Sequence, residues 1–559
     1  MAFSASVRRG LRASLKLLLV AGFGLLGSAT ALAHVGSPDI YADGNAGPYR
    51  VFVTIRPPLV IPGVAEIEVR IEPGGPPVSG ISIAPIPLTG EASLHPPVAD
   101  AMKQSAQDRQ FYTGALWIMA SGSWQVRFTV NGSQGVGLLS IPVPATSSST
   151  VGMQAGLGIL LGVLGLVLVA GAIGIVGAAA RDAQLLPGAP VQAAGRKRAI
   201  IAMGIALVLM VGAVWFGKVW WQSAADDYAH YVYKPLTMTA TVEQGGQASG
   251  QILKLRIEDP GWLKSRRLDD FVLDHDHLMH LYLLREPGLD LVYHLHPDQV
   301  VPGEFQLTLP SIPSGLYQVY ADVVHATGFP ETLVARLTLP EIAGRPLAGD
   351  DAKGLAQPVS ELRTGPNGWA GCPAQSTEGS QFRLPDGYTM VWNNAATLPA
   401  KTPQVFEFSL FDPSGKPPSD MALYMGMVGH AAFVKDDGTV FAHVHPSGTV
   451  SMAALMMAAA QNQPAGQRSN SMSSMPDMEG MDSDEDVVKS DKAHGPKAAQ
   501  TSAPSMQAGR PVATGIPNAV GFPYGFPTAG AYRIFVQMKH GQTIETGAFD
   551  ACAGSARSH

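Results

Sequence analysis

Apolar and polar positions alternate in short runs along most of this 559-residue chain, and two long stretches that are apolar throughout interrupt the alternation. Alternation with period two is the mark of a strand with one buried face. Between about 48 and 143 it predicts strands at 49–55, 65–71, 111–118, 124–131 and 135–141, with Pro and Gly between them, which suits a small antiparallel sandwich. Between 232 and 345 it predicts seven: 235–242, 251–258, 277–285, 290–296, 304–310, 316–324 and 332–339. Over 380–552 the strands fall at 404–411, 422–434, 439–445, 531–538 and 542–548. The fold expected is mostly β, with three Ig-like antiparallel β-sandwich domains and two transmembrane α-helices. A linker at 346–379 joins the last two sandwiches.

The apolar runs predict helices at 151–180 and 199–219, each long enough to cross about 30 Å of hydrocarbon. Arg181, Arg196, Lys197 and Arg198 make the 181–198 loop cytoplasmic by the excess of positive charge, so both flanking regions face outward. Trp215, Trp220 and Trp221 suit the outer interface, and Gly158 with Gly162 offers a small-residue face for helix packing. Residues 1–33 read as a signal peptide: Arg8, Arg9, Arg12 and Lys16 precede a short apolar run and the Ala31-Leu32-Ala33 cleavage site. The sandwich at 34–147 then begins with His34, whose α-amino group and imidazole can together chelate Cu(II), with Asp39 or His95 as a further ligand. The location expected is a bacterial inner membrane, with the large domains in the periplasm.

Composition adds little to this. A hydrophobic share of 46% and mean hydropathy of +0.12 fit partial membrane residence, and a net charge of -6 argues against a nucleic-acid partner. The two cysteines, Cys372 and Cys552, either close the last domain with a disulfide or remain free thiols. An insertion at 451–515, rich in Ser, Ala, Gln, Asp and Met, is expected to be disordered. Within it Met472, Met475, Met478 and Met481 repeat every third residue, and thioethers bind Cu(I) without losing a proton.

The chemistry concentrates in a stretch that occurs twice. His280 is followed by His294-Leu-His296-Pro297, and His430 by His443-Val-His445-Pro446. Each set spans a hairpin, turning at Pro287-Gly288-Leu289 and at Asp437-Gly438. That register sets His280 opposite His296 and His430 opposite His445, so each hairpin gathers three imidazoles on one face. Downstream the phrases Gly315 to His325 and Gly530 to His540 match, adding His325 and His540 as candidate ligands. Upstream, His275 and His277 of the first copy align with Met425 and Met427 of the second. Imidazole and thioether share little as packing groups, but both bind copper. Asp274 and Asp276 stand beside them as ligands or as groups that orient the histidines. Zinc competes for an all-imidazole site. The metal-free alternative is a duplicated turn whose rings bond to backbone.

At these residues the chain resembles bacterial exported proteins with tandem YtkA-like or copper-resistance-type sandwich domains, which share the hairpin ending in His-x-His-Pro and the later Gly-x-Tyr strand, here Gly315-Leu-Tyr317 and Gly530-Ala-Tyr532. The first domain resembles FixH-like and YtkA-like modules through Gly122-Ser-Trp124-Gln-Val-Arg-Phe128. The resemblance implies metal handling, or support of oxidase assembly, outside the inner membrane. The expectation is a membrane-anchored copper-binding protein, not an enzyme, that buffers the ion or passes it to a copper-accepting membrane protein or oxidase. The alternative is a metal-free scaffold for a membrane complex such as a respiratory oxidase. No phosphate loop, HExxH or Ser-His-Asp pattern is visible.

Overall fold

The computed structural model describes residues 38–150, 153–183, 185, 190, 193–245, 250–263, 266–359, 380–394, 398–462 and 515–554. The protein is mostly β, in three sandwiches, with two long apolar helices between the first and second. In the first sandwich one sheet runs Ile40–Ala46, Tyr49–Arg56, Gly63–Ile71, Phe111–Ile118, Lys103–Gln104 and the other Asp100–Ala101, Val78–Pro87, Gly122–Gly132, Gly135–Ala145. Val51, Val53, Ile67 and Val69 face Val126, Phe128, Ile141 and Val143 across the core. Strands Ile40–Ala46 and Val78–Pro87 were not expected, because Gly, Asn, Asp and Pro within them read as turn residues.

The helices are Ala155–Asp182 and Ala193–Ala229, long and apolar enough to cross a membrane, with apolar side chains exposed along their length. They approach at Gly177, where an added Cβ would lie 2.6 Å from Met203 Sδ, whereas Gly158 and Gly162 meet nothing on the other helix. The Gly158–Gly162 pair is therefore not the packing face. The second helix runs beyond the expected end at 219 and feeds directly into the second sandwich. Chain entry and return are adjacent: Tyr233 N donates to Ser147 O at 2.8 Å, and the Tyr228 hydroxyl lies 3.0 Å from Ser147 Oγ.

The two repeats share one plan. One sheet of the first runs Pro330–Leu339, Gly315–Val324, His280–Glu286, Leu291–Leu295; its counterpart runs Thr543–Gly554, Gly530–His540, Gly429–Lys435, Phe441–Val444. Within each hairpin alternate residues serve two cores. Leu281, Leu283 and Leu295 enter the first repeat's own core, as Ala431, Phe433 and Val444 enter the second's. The opposite faces meet each other through Tyr282, Leu284, Val292, Tyr320, Ala432, Val434, Phe441 and Phe535. Tyr320 stacks on Phe441 at 4.2 Å, and Arg533 Nη1 donates to Leu289 O at 2.9 Å. Strands buried on both faces are what such a junction requires.

Two segments depart from expectation. The 346–379 linker contains the strand Ala352–Leu355, which extends the first hairpin's sheet beside Leu291–Leu295. The 451–515 insertion begins with the helix Met452–Ala460 rather than disordered chain. Its Met- and Ala-rich sequence favours helix, and Ala454, Leu455 and Ala458 enter the core of the first sandwich. Ser451 caps it by accepting from Ala454 N at 3.3 Å, and the Asp274 carboxylate accepts from Ala453 N at 2.7 Å. The turn before this helix also docks, with Thr449 N donating to Tyr41 O at 2.9 Å. Cys552 is disulfide-bonded, and Cys372 lies outside the described residues.

Candidate metal centre

The hairpins place their histidines as the register predicts. Tyr282 pairs with His294 and Leu281 with Leu295, so His280 and His296 are opposite; Ala432 pairs with His443, so His430 and His445 are opposite. Each trio lies on the face that meets the other repeat. The preceding turns are equivalent too. Asp274 N donates to His277 O at 2.8 Å and Tyr424 N to Met427 O at 2.7 Å. Both turns are left-handed at their centre, with φ of 53° and 66° at His275 and Asp276 and 49° and 77° at Met425 and Gly426. Non-glycine residues adopt that conformation at a cost of order 1 kcal/mol and tend to mark functional sites. His-x-His and Met-x-Met thus occupy the same structural position.

Packing of the two faces merges the trios into one cluster of eight rings. Two groups within it close tightly: His280, His294 and His296 form one, His275, His430 and His445 the other, and in each the ligand atoms all lie within 4.8 Å of one another. His443 lies between them, with ring centroids 5.3 Å from His280, 5.5 Å from His430 and 4.6 Å from His445. His277 stacks on His296 at 3.8 Å at the margin, its Nε2 3.5 Å from Asp350. His275 was grouped by sequence with the first repeat's ligands. It reaches instead to the second repeat's pair, its Nδ1 donating to Met425 O at 2.8 Å.

The outer nitrogens are anchored and the inner ones are bare. Nδ1 of His296 bonds to Asp351 at 3.1 Å, Nδ1 of His445 to Val450 O at 3.1 Å, and Nδ1 of His443 pairs with Asp322 at 3.3 Å. Such anchoring fixes the tautomer and turns Nε2 inward. Among the described residues, six buried ring nitrogens have no partner: Nε2 of His275, His296, His443 and His445, and both nitrogens of His430. His280 Nε2 donates to Asp274 O at 2.9 Å, and His294 Nδ1 lies 2.9 Å from Gln537 Oε1, whose amide nitrogen donates to Thr546. The remaining nitrogens, His280 Nδ1 and His294 Nε2, both lack a proton in neutral rings and stand 3.1 Å apart. Two facing lone pairs repel unless a cation lies between them. Two metal–nitrogen bonds of about 2.0 Å span roughly 3 Å, which matches.

Burial, then neighbouring imidazoles, holds His280, His294, His430 and His443 well below the ordinary histidine range. Burial takes His445 to about 4 and lowers His296 against the pull of Asp351. These rings are neutral and available as donors. Burial also lifts the Asp322 carboxyl to about 7.

His325 and His540, expected as ligands, lie elsewhere. Tyr320 and Asp322 face the junction, so alternation turns His325 to the opposite side, where it meets Asp270 at 2.7 Å and Glu331 at 3.5 Å. Gln537 likewise faces the junction, and His540 turns away to Glu545 at 3.3 Å and Asp420 at 3.4 Å, where Asp386, His540 and Glu545 form a separate group with ligand atoms within 4.8 Å of one another. Met425 and Met427 are buried at the turn itself. His34 and Met472, Met475, Met478 and Met481 lie outside the described residues. His95 is exposed. Asp274 orients through its carbonyl.

Tyr424, Gln537, Asp322, Asp350 and Asp351 also border the cluster and were not expected from the sequence. Tyr424 donates to Asp350 O at 2.7 Å with its oxygen 3.2 Å from His294 Nδ1. Asp350 and Asp351 sit in the segment read as linker. One available signal was the Asp-Asp pair just before an alternating run, and another was the shared position of Tyr424 and Asp274.

The fold and site define a class: a mostly β protein with two apolar helices and a buried imidazole cluster between repeated sandwiches. A family model described as a domain of unknown function (DUF8832) matches residues 382–468, which include His430, His443 and His445. No curated protein matches the chain. Among solved structures it is similar to E. coli alpha-2-macroglobulin, at 9% identity over 91% of this chain and 23% of that one, with a TM-score of 0.19. It is similar also to InvD of Yersinia pseudotuberculosis, at 10% identity over 90% and 97%, with a TM-score of 0.13. The chain thus spans under a quarter of the macroglobulin's length. Both TM-scores are too low to carry a statement of function.

Proposed function

We propose that the protein is a membrane-anchored copper-binding protein that buffers the ion or passes it to a membrane acceptor, with its sandwiches in the periplasm of a bacterial inner membrane. The observation that carries this reading is the set of six buried, unpartnered imidazole nitrogens on five histidines. Buried polar atoms in native proteins are satisfied with few exceptions, so a concentration of them in one place calls for a ligand. Asp322, Asp350 and Asp351 lie against outer ring nitrogens and the Asp274 carboxylate accepts from Ala453 N, so the inward donors are nitrogen alone. That set suits copper or zinc and excludes calcium and magnesium, which require oxygen. Copper is favoured by its position in the affinity series and by Met425 and Met427 in the equivalent turn. The resemblance to YtkA-like and copper-resistance-type domains agrees with it.

The test uses the full chain in detergent, stripped with chelator and titrated separately with Cu(I), Cu(II) and Zn(II). Binding that disappears in the His294→Ala/His430→Ala double variant supports the proposal. Equal uptake by wild type and variant overturns it and leaves the scaffold reading. Copper tighter than zinc at the cluster supports the choice of metal, and the reverse order makes it a zinc protein.

A further inference from the structure

Resting on that reading, we infer that the cluster takes two ions, and that the second is held jointly by the two repeats. The two close groups share no residue: His280, His294 and His296 come from one hairpin, whereas His275 comes from the first repeat and His430 and His445 from the second. Each group closes on itself within 4.8 Å. Each contains inward nitrogens with no other use: the facing pair of His280 and His294 with His296 Nε2 in one, and His275 Nε2, a nitrogen of His430 and His445 Nε2 in the other. Copper and zinc sites hold about four ligands, so one ion leaves several of these nitrogens buried and bare. Two ions give each group its ligands, each ring offering one nitrogen to an ion, and His443 Nε2, between them and itself unpartnered, completes one.

The sequence accounts for the asymmetry. The turn that carries His275 in the first repeat carries Met425 in the second, so only one turn delivers an imidazole across the junction. The first ion therefore belongs to one sandwich. The second links His275 to His430 and His445 and fastens the junction that the apolar contacts begin.

Metal content is measured on the full chain in detergent after loading with Cu(II) or Zn(II) and desalting, both ions being poorly held by thioethers. His294→Ala and His275→Ala are each expected to lower the content by one ion per chain, and the double variant by two. If the double variant loses no more than either single one, the cluster holds one ion: the two-ion inference fails and the copper reading stands. If no variant changes the content, both fail. Should a variant not fold, spin resonance of the wild type decides. Dipolar coupling that develops between one and two equivalents of Cu(II) supports a neighbouring pair, and its absence at saturation overturns the pair.

Discussion

His430 gives the sharpest test of the physical reasoning, because its ring is fully buried and neither nitrogen has a partner. A buried polar atom left unsatisfied costs about 1–3 kcal/mol, and a neutral imidazole has one donor and one acceptor to satisfy. His430→Leu removes both penalties with a side chain of similar volume, offset by roughly 1 kcal/mol of imperfect packing. The metal-free protein should thus gain about 1–5 kcal/mol, read as an unfolding midpoint raised by roughly 2–4 °C per kcal/mol for a domain of this kind. Copper shifts the comparison the other way. Free ion at a hundred times the dissociation constant stabilises a binding protein by about 2.7 kcal/mol, a gain the variant loses for the ion its ring helps to hold. The assay is thermal unfolding of wild type and variant, in chelator and in copper. A variant less stable than wild type in chelator would refute the reasoning, since it would show that the His430 ring is satisfied without metal.

Asp351→Ala is expected to weaken the first group's affinity by about 10–100-fold, because it frees the His296 ring that the carboxylate anchors at 3.1 Å, and Asp351→Asn should recover part of the loss; competition titration with a chromophoric chelator reads this. Burial opposes charging of His325, but Asp270 and Glu331 outweigh it and raise the imidazole to about 9. Arg266 and Tyr233, which both bond to Glu331, complete its surroundings. The folded pKa is above the ordinary 6.5, so the contribution is fully present below about pH 6.5 and lost as pH rises through about 9; at most about 3 kcal/mol is involved. His325→Gln should flatten the decline in stability between those values, measured by denaturant unfolding at pH 6 and 9.5. Reporter fusions within 181–198 should behave as cytoplasmic, and a periplasmic result there would reverse the proposed orientation.

Much of the site was legible because hairpin register and strand alternation are local rules. Two turn signals and the spacing of His280, His294 and His296 suffice to put three rings on one face. The merger of the two trios was not read, since an isolated sandwich leaves that face to solvent. A signal existed: Leu281 to Leu284 and Ala431 to Val434 are apolar at every position, as strands buried on both faces are. That His325 and His540 lie away from the junction needed one parity step more, as Asp322 and Gln537 fix which face of each strand looks at the junction. Asp350 and Asp351 were hidden because a strand added at a sheet edge owes its place to a distant partner rather than to its own pattern. The helix Met452–Ala460 was lost by averaging a short Ala- and Met-rich stretch with the polar chain beyond it.

X-ray absorption at the copper edge, on the full chain loaded with one equivalent of Cu(II), reads the ligand atoms themselves. Nearest neighbours that are all nitrogen, with the outer scattering of imidazole rings, are the result this account predicts, and that scattering should vanish in the His294→Ala/His430→Ala variant. A spectrum dominated by oxygen or sulfur, or one the double variant leaves unchanged, would contradict it.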